Sequence, residues 1–412
     1  MQNFNYYAPT KVVFGKDTEK QVGELVKEQQ CKKVLVHFGG QSAKKSGLLD
    51  RICNSLTETG INYVTLGGVV PNPRLSLVRE GIELCKQEGV DFILAVGGGS
   101  VIDSAKAIGY GMTNKDENGQ DVDVWDLYLK KFPPKACLPI GAVLTIAAAG
   151  SEMSDSSVIT NEDGWLKRGL SSNYARCKFA VMNPELTYSL PKYQTMCGCT
   201  DILMHTMERY FTKEEHTELT DELAEGLMRS VIQAAKTLLV NPNDYNARAQ
   251  VMWAGSLSHN GLTGCGTVGD WACHQLEHEL GGMFDVAHGA GLAAVWGSWA
   301  RYVYSEKPER FAQFAVKVLG IKNSESQTTK KPTGKEAASQ IEETALAGIA
   351  AMEAFYREIE MPTTIEELGI EVTPEQLDEL AYKCAYQGTR TIGGFRVLHQ
   401  EDMKKIYENA LK

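Results

Sequence analysis

The stretch Ile93–Gly109, ILAVGGGSVIDSAKAIG, passes from an apolar run through Gly97, Gly98 and Gly99 directly into a helical pattern. A short apolar run closed by glycines reads as a strand, so the whole stretch reads as strand, tight turn and helix. Ser100 is placed to cap that helix, and the first turn exposes backbone N–H groups. Such a turn suits an anionic phosphate, because free amides and the helix dipole both favour negative charge. The spacing is not GxGxxG, since Ile102 stands where the third glycine would be. Taken alone, the glycines are equally compatible with a plain strand-to-helix connection.

Working outward, KKVLVHF (32–38), NYVTL (62–66), CLPIGAVLTI (137–146) and KFAVMNP (178–184) read as further strands. Amphipathic stretches such as SLVREGIELCKQEG (76–89) lie between them, which is the βαβ pattern of a mostly parallel sheet. YYAPTKVVFGKD adds a strand at an edge or at a subunit contact. From about residue 190 the pattern turns helical: SLPKYQTMCGCTDILMHTMERYF opens with Ser189 as N-cap and Pro191 in the first turn. The segments 217–240, 244–259, 289–304, 334–358 and 400–411 are also helical, PTTIEELGI carries a capping box from Thr363 to Glu366, and TTKKPTGKE (328–336) reads as a solvated loop. The expected organisation is an α/β dinucleotide-binding domain over 1–187 and an all-helical domain over 188–412.

The first βα turn, HFGGQSAKKSG, bears on the nucleotide. NAD sites commonly place a carboxylate near the end of an early strand for the ribose 2′-hydroxyl. Residues 37–49 contain no Asp or Glu but offer Gly39, Gly40, Ser42, Lys44 and Lys45, which favours a 2′-phosphate and hence NADP(H) over NAD(H).

Composition narrows the partners. The chain has 412 residues, 43% hydrophobic and 23% charged, which is globular and long enough for well-filled cores. A formal net charge of −10 with no basic–aromatic stretch argues against nucleic acid. No 18-residue apolar run and no signal-peptide pattern are present, so a cytoplasmic protein without a membrane partner is expected. The ten cysteines form no CxxC and read as reduced packing residues.

DWACHQLEHELGGMFDVAHGAG (270–291) holds His274, His278 and His288. His274 and His278 are i,i+4 and share a helix face, while His288 follows a Gly281–Gly282 break near the next helix start. Asp201 and His205 form another i,i+4 pair on an apolar face. A carboxylate buried there calls for a compensating cation, and imidazoles with one carboxylate suit Fe(II) or Zn(II). The HxxxH is not HExxH, since Gln275, Leu276 and Glu277 intervene. His37, His216, His259 and His399 read as surface or packing residues. Trp253, Trp271, Met283 and Phe284 near the histidines favour small apolar aldehydes over polyanionic substrates.

Together these pieces resemble the iron-dependent (group III) alcohol dehydrogenase family, and more closely its butanol dehydrogenase-like branch. The resemblance runs from PTKVVFG (9–15) through PNP (71–73), GGGSVIDSAK (97–106) and AAGSEMS (148–154) to the histidine region, in that order. It implies the dehydroquinate synthase-like, iron-type alcohol dehydrogenase fold, and a metal-dependent alcohol dehydrogenase or aldehyde reductase. The implied ligands are Asp201, His205, His274 and His288, with Fe(II) as the metal and Zn(II) chemically acceptable. His278 falls on a histidine the family does not use as a ligand, which makes it the proton relay, with a residue that orients the ligands from behind as the alternative. Gly98, Gly99 and Ser100 match pyrophosphate contacts, Asp103 lies by the cofactor, and Thr145, Ser154 and Lys167 match positions lining nicotinamide and ribose. A homodimer acting on a small aldehyde or alcohol is implied. Two departures stand out: Ala149 where the family usually has threonine, and Gln41 in the early turn. The competing functions are a glycerol dehydrogenase-like or synthase-type relative, or a catalytically silent nucleotide-binding protein.

Overall fold

A computed structural model of the protein describes residues 1–322 and 334–412. Its strands are β1 (Lys11–Phe14), β2 (Lys33–Phe38), β3 (Asn62–Leu66), β4 (Phe92–Gly97), β5 (Ile140–Leu144), β6 (Ser156–Asn161), β7 (Leu166–Ser171) and β8 (Phe179–Met182). The first helices are α1 (Val22–Lys27), α2 (Ser42–Lys45), α3 (Leu48–Glu58), α4 (Leu75–Glu88), α5 (Gly99–Gly111) and α6 (Val124–Tyr128). Then follow α7 (Lys192–Tyr210), α8 (Glu218–Val240), α9 (Tyr245–His259), α10 (Ala272–Phe284) and α11 (His288–Val303). The last are α12 (Pro308–Lys317), α13 (Lys335–Glu358), α14 (Pro374–Cys384) and α15 (Gln400–Asn409). Two compact units result: Tyr7–Leu190 with Pro242–Asn260, and Met1–Tyr6 with Pro191–Asn241 and Gly261–Lys412. Among the described residues no helix is long and apolar enough to cross a membrane, and all ten cysteines are free.

The α/β unit is built on a six-stranded sheet in the order β1-β8-β5-β4-β2-β3, parallel throughout. Every residue of β4 is buried. Phe92, Leu94 and Val96 pack with Val22, Ile52 and Leu56 of α1 and α3. Ile93 and Ala95 pack on the other face with Val78, Ile82 and Ile108 of α4 and α5. A strand covered on both faces must be apolar at every position, which is why β4 reads as one unbroken run. The chain leaves β2 for β3 on one side and β4 for β5 on the other, so the winding reverses between β2 and β4. The early strand is the sheet edge, β1 against β8. An antiparallel hairpin, β6–β7, was absent from the sequence reading; it pairs Thr160 with Lys167.

The second unit is helical, and three local readings change there. Pro191, not Ser189, is the N-cap of α7, with no side-chain cap bond. Gly281 and Gly282 do not break α10; both are buried inside it, and the chain turns only at Asp285, whose φ is 53°. Thr363 pairs with Glu367 rather than Glu366, while full capping boxes occur at Thr373–Gln376 and His399–Asp402. Of the expected loop 328–336, residues 328–333 lie outside the described residues, and Lys335 and Glu336 already belong to α13.

Candidate functional site

In the α/β unit, Gly39 and Gly40 follow β2, Gly98, Gly99 and Ser100 follow β4, and Thr145 follows β5. These are the carboxyl ends of three adjacent parallel strands, at the point where the winding reverses. Open α/β sheets bind nucleotides in that crevice. Helix α5 starts at Gly99 with Gly98 as its N-cap, and a Cβ on Gly98 would lie 2.8 Å from Ile146 Cβ. Ser100 sits inside the first turn rather than at the cap, because the Gly98 carbonyl already accepts the amides of Val101 and Ile102 at 3.0 and 3.1 Å. Ser42 opens α2, where Lys44 and Lys45 are exposed, with Lys44 Nζ 5.2 Å above the Phe38 ring.

The loop after β5 is tied back to α5. Asp103 accepts the Val158 amide at 2.9 Å through Oδ2 and the Ser157 hydroxyl at 2.9 Å through its carbonyl. Lys106, one turn further and fully buried, donates to the carbonyls of Ser151, Ser154 and Ser156 at 2.7, 2.9 and 2.7 Å, and lies 3.3 Å from Ser154 Oγ. Ser154 is therefore held from α5, and Lys167 is buried on β7. His259, read as packing, bonds the Ala149 carbonyl through Nδ1 at 2.6 Å, so position 149 is secured by its backbone. Burial pushes the Glu152 carboxyl up while the Ser256 hydroxyl bonds it. Trp253 belongs to this unit, edge-on to Phe14 at 6.4 Å, and not to the helical one.

In the helical unit, three helices bring the metal candidates together: Asp201 and His205 from α7, His274 from α10 and His288 from α11. Donor atoms of Asp201, His205 and His274 all lie within 4.8 Å of one another, and all three residues are buried. Nε2 of His274 and of His288 each stand 3.7 Å from Asp201 Oδ1. That separation is too long for a hydrogen bond and suits two ligands of one ion. Among the described residues Asp201 Oδ1 and His274 Nε2 are buried and make no hydrogen bond, although Oδ1 lies 3.0 Å from His205 Nδ1. Polar atoms in that condition are costly unless something outside the chain satisfies them, so the donor set fits a divalent ion. The approach of α11 to α7 depends on Gly289, where a Cβ would fall 2.1 Å from the Cys197 carbonyl oxygen.

Each histidine has its other ring nitrogen occupied. His205 Nδ1 bonds the Asp201 carbonyl at 3.0 Å. His274 Nδ1 and backbone amide both reach Glu208 Oε1, at 3.0 and 2.9 Å, and His288 Nδ1 bonds Glu277 Oε2. Nε2 thus remains for the centre in His274 and His288, an arrangement that fixes tautomer and ring direction, while His205 also brings Nδ1 to 3.0 Å from Asp201 Oδ1. Burial lowers His205 to about 4. Burial acts the same way on His274, but the nearby carboxylates of Asp201 and Glu208 outweigh it and raise that imidazole to about 9. Burial would raise Asp201, yet the charges of His205 and His288 hold it well below its ordinary value. His278 is half-buried, one turn after His274 and outside the donor cluster, with its ring centre 6.0 Å from that of His288. Trp271 stands edge-on to His205 and His274 at 6.2 and 5.5 Å, under the Arg209 guanidinium at 4.5 Å. Asp270 starts α10 by accepting the Ala272 amide at 3.0 Å, and also takes the Phe395 amide at 2.8 Å.

Lys106, Glu208 and Glu277 escaped the sequence reading. Signals existed: a lysine inside an apolar helix, a glutamate three residues after His205, and another three residues after His274.

Comparison with known proteins adds kinship. Residues 9–184 match the model for iron-containing alcohol dehydrogenase, and residues 195–411 match that for the C-terminal part of the Fe-containing alcohol dehydrogenase family. A probable NADH-dependent butanol dehydrogenase 1 of Bacillus subtilis is 38% identical, and the match covers 100% of both chains. The NADPH-dependent aldehyde reductase YqhD of Escherichia coli is 32% identical, again over 100% of both. The crystal structure of NADH-dependent butanol dehydrogenase A from Thermotoga maritima superposes with a TM-score of 0.91 at 37% identity, over 100% of this chain and 99% of that one.

Proposed function

The chain belongs to the iron-containing alcohol dehydrogenase family, and on that premise we propose that it transfers hydride between NAD(P)H and short- to medium-chain aldehydes such as butanal. The carrying observation is the convergence of buried Asp201, His205 and His274, with donor atoms within 4.8 Å of one another, and His288 Nε2 3.7 Å from Asp201 Oδ1. We assign these four side chains as ligands of one divalent metal, Fe(II) by family and Zn(II) by donor chemistry. Bound there, such an ion supplies a Lewis acid that polarises the oxygen of an aldehyde.

The chain's own residues do the rest. The amides after Gly98 and Gly99 hold the pyrophosphate at the α5 N-terminus. Gly39, Gly40 and Ser42 border the adenosine ribose; Asp103, Thr145, Ser154 and Lys167 border the ribose and nicotinamide side. His278 passes the proton of the substrate oxygen through its imidazole. The residues 1–187 form the dinucleotide-binding domain and 188–412 the metal- and substrate-binding domain in this proposal. Lys44 and Lys45, with no carboxylate in 37–49, support NADP(H), while the names of several relatives at 35–38% identity specify NADH. Aldehyde reduction in the cytoplasm by a homodimer completes the proposal.

The test is absorbance at 340 nm with butanal and either NADPH or NADH, after loading with iron or zinc. Oxidation of at least one coenzyme is expected. Oxidation of neither overturns the dehydrogenase assignment.

A further inference from the structure

Metal sites are tuned by what stands behind the ligands, and here that layer is charged. Glu208 and Glu277 are 2% and 0% exposed, and each places a carboxylate oxygen on Nδ1 of a proposed ligand. Glu208 also accepts the His274 backbone amide at 2.9 Å, fixing the start of α10 and its imidazole with one oxygen. Glu277 leaves the same helix one turn later and reaches His288 at the head of α11. The third histidine, His205, meets at Nδ1 the backbone carbonyl and the carboxylate of Asp201, both at 3.0 Å.

The space for Glu277 is itself built. A Cβ at position 291 would lie 2.9 Å from Glu277 Cγ and 3.3 Å from its Oε1, so the bare glycine lets the acid lie against α11. With Asp201, three buried carboxylates face three imidazoles in a volume where an uncompensated charge is expensive. A carboxylate on Nδ1–H makes Nε2 a stronger donor, and loss of such a partner commonly weakens metal binding 10–100-fold.

We infer that Glu208 and Glu277 are positioning residues whose buried charges set how tightly this chain holds its divalent ion, with Gly291 keeping Glu277 in place. The inference rests on the metal assignment made above. It assigns His274 and His288 as donors each backed by a glutamate of its own.

The experiment is Zn²⁺ competition against a chromophoric chelator, using folded, metal-stripped full-length protein. Glu277→Gln keeps an acceptor of the same shape but removes the charge, and Glu208→Gln does the same behind His274. Each is expected to weaken Zn²⁺ binding by about tenfold or more, and to shrink the upward shift of melting temperature on adding Zn²⁺. Gly291→Ala touches no donor atom, yet should weaken binding similarly by displacing Glu277. The melting temperature of each metal-free variant monitors folding, and the three substitutions lie on different helices, so one failed fold leaves the others to decide. Wild-type affinity in Glu277→Gln and Gly291→Ala overturns the inference, as does weakening in Glu277→Leu alone, which would show that the charge is irrelevant. If wild type and His274→Ala bind Zn²⁺ alike, the metal assignment itself falls.

Discussion

The two units arrange their working surfaces around opposite charges. In the α/β unit one buried ammonium, Lys106, collects oxygens from Ser151, Ser154 and Ser156 and is satisfied within the chain. In the helical unit buried carboxylates gather behind histidines, and among the described residues Asp201 Oδ1 and His274 Nε2 make no hydrogen bond. Their histidines differ in the same sense. His37 bonds the Leu66 carbonyl and the Ser104 hydroxyl, both at 2.9 Å, and burial pushes it down to about 4. His274, between two carboxylates, is raised to about 9. A closed polar network stabilises a scaffold, whereas an anion-rich one left open calls for a cation from outside.

The comparison breaks most visibly at His274. His274→Ala should abolish butanal reduction and weaken Zn²⁺ binding by more than the roughly 10–100-fold typical of losing a carboxylate behind a ligand histidine, read by chelator competition and turnover. His278→Ala should lower kcat by about 10²–10⁴-fold, the usual scale of a lost acid–base group, while metal content stays at the wild-type level. Metal loss in that variant would make His278 an orienting residue instead.

The α/β unit should respond in stability instead. Lys106→Met leaves buried carbonyls without a donor and should cost about 2–4 kcal/mol in urea unfolding, with metal affinity unchanged. Acid should act through His37. Its ordinary value is 6.5 and its folded value about 4, so folding excludes the proton. Stability from this group is complete above 6.5 and is lost as pH falls toward 4. Between pH 7 and pH 5 wild type should lose about 2 kcal/mol more than His37→Gln, following linkage. An equal loss in both proteins would remove His37 as the source. The smallest effect belongs to the nucleotide turn: Lys44→Ala with Lys45→Ala should raise KM for NADPH by about tenfold, equivalent to one lost phosphate contact of about 1.4 kcal/mol, and leave KM for NADH unchanged.

Legibility followed burial geometry. β4 and β5 announce themselves because strands covered on both faces must be apolar throughout, and helices such as α4 and α8 carry an apolar periodicity set by one packed face. The β6–β7 hairpin carries SSVITN and LKRGLS, where Ser157, Thr160, Lys167 and Arg168 are buried polar residues and Ser157 is held by the Asp103 carbonyl of α5, so its alternation is masked. The i,i+4 histidine and aspartate pairs are visible because one helix holds both members. Glu208 and Glu277 are not, since an acid in a helix ordinarily faces solvent and only the neighbouring helix shows otherwise. Gly281 and Gly282 mislead for a related reason: glycine inside a buried helix marks packing as readily as an end.

The donors come from α7, α10 and α11, between positions 201 and 288, and no single helix carries more than two of them. An unfolded or half-folded chain therefore offers an ion only scattered pairs, and the complete cage exists after these helices have docked through Gly289. On the proposed metal assignment, uptake of the ion would then be a late event in the life of each molecule, a reporter that the helical unit has finished assembling.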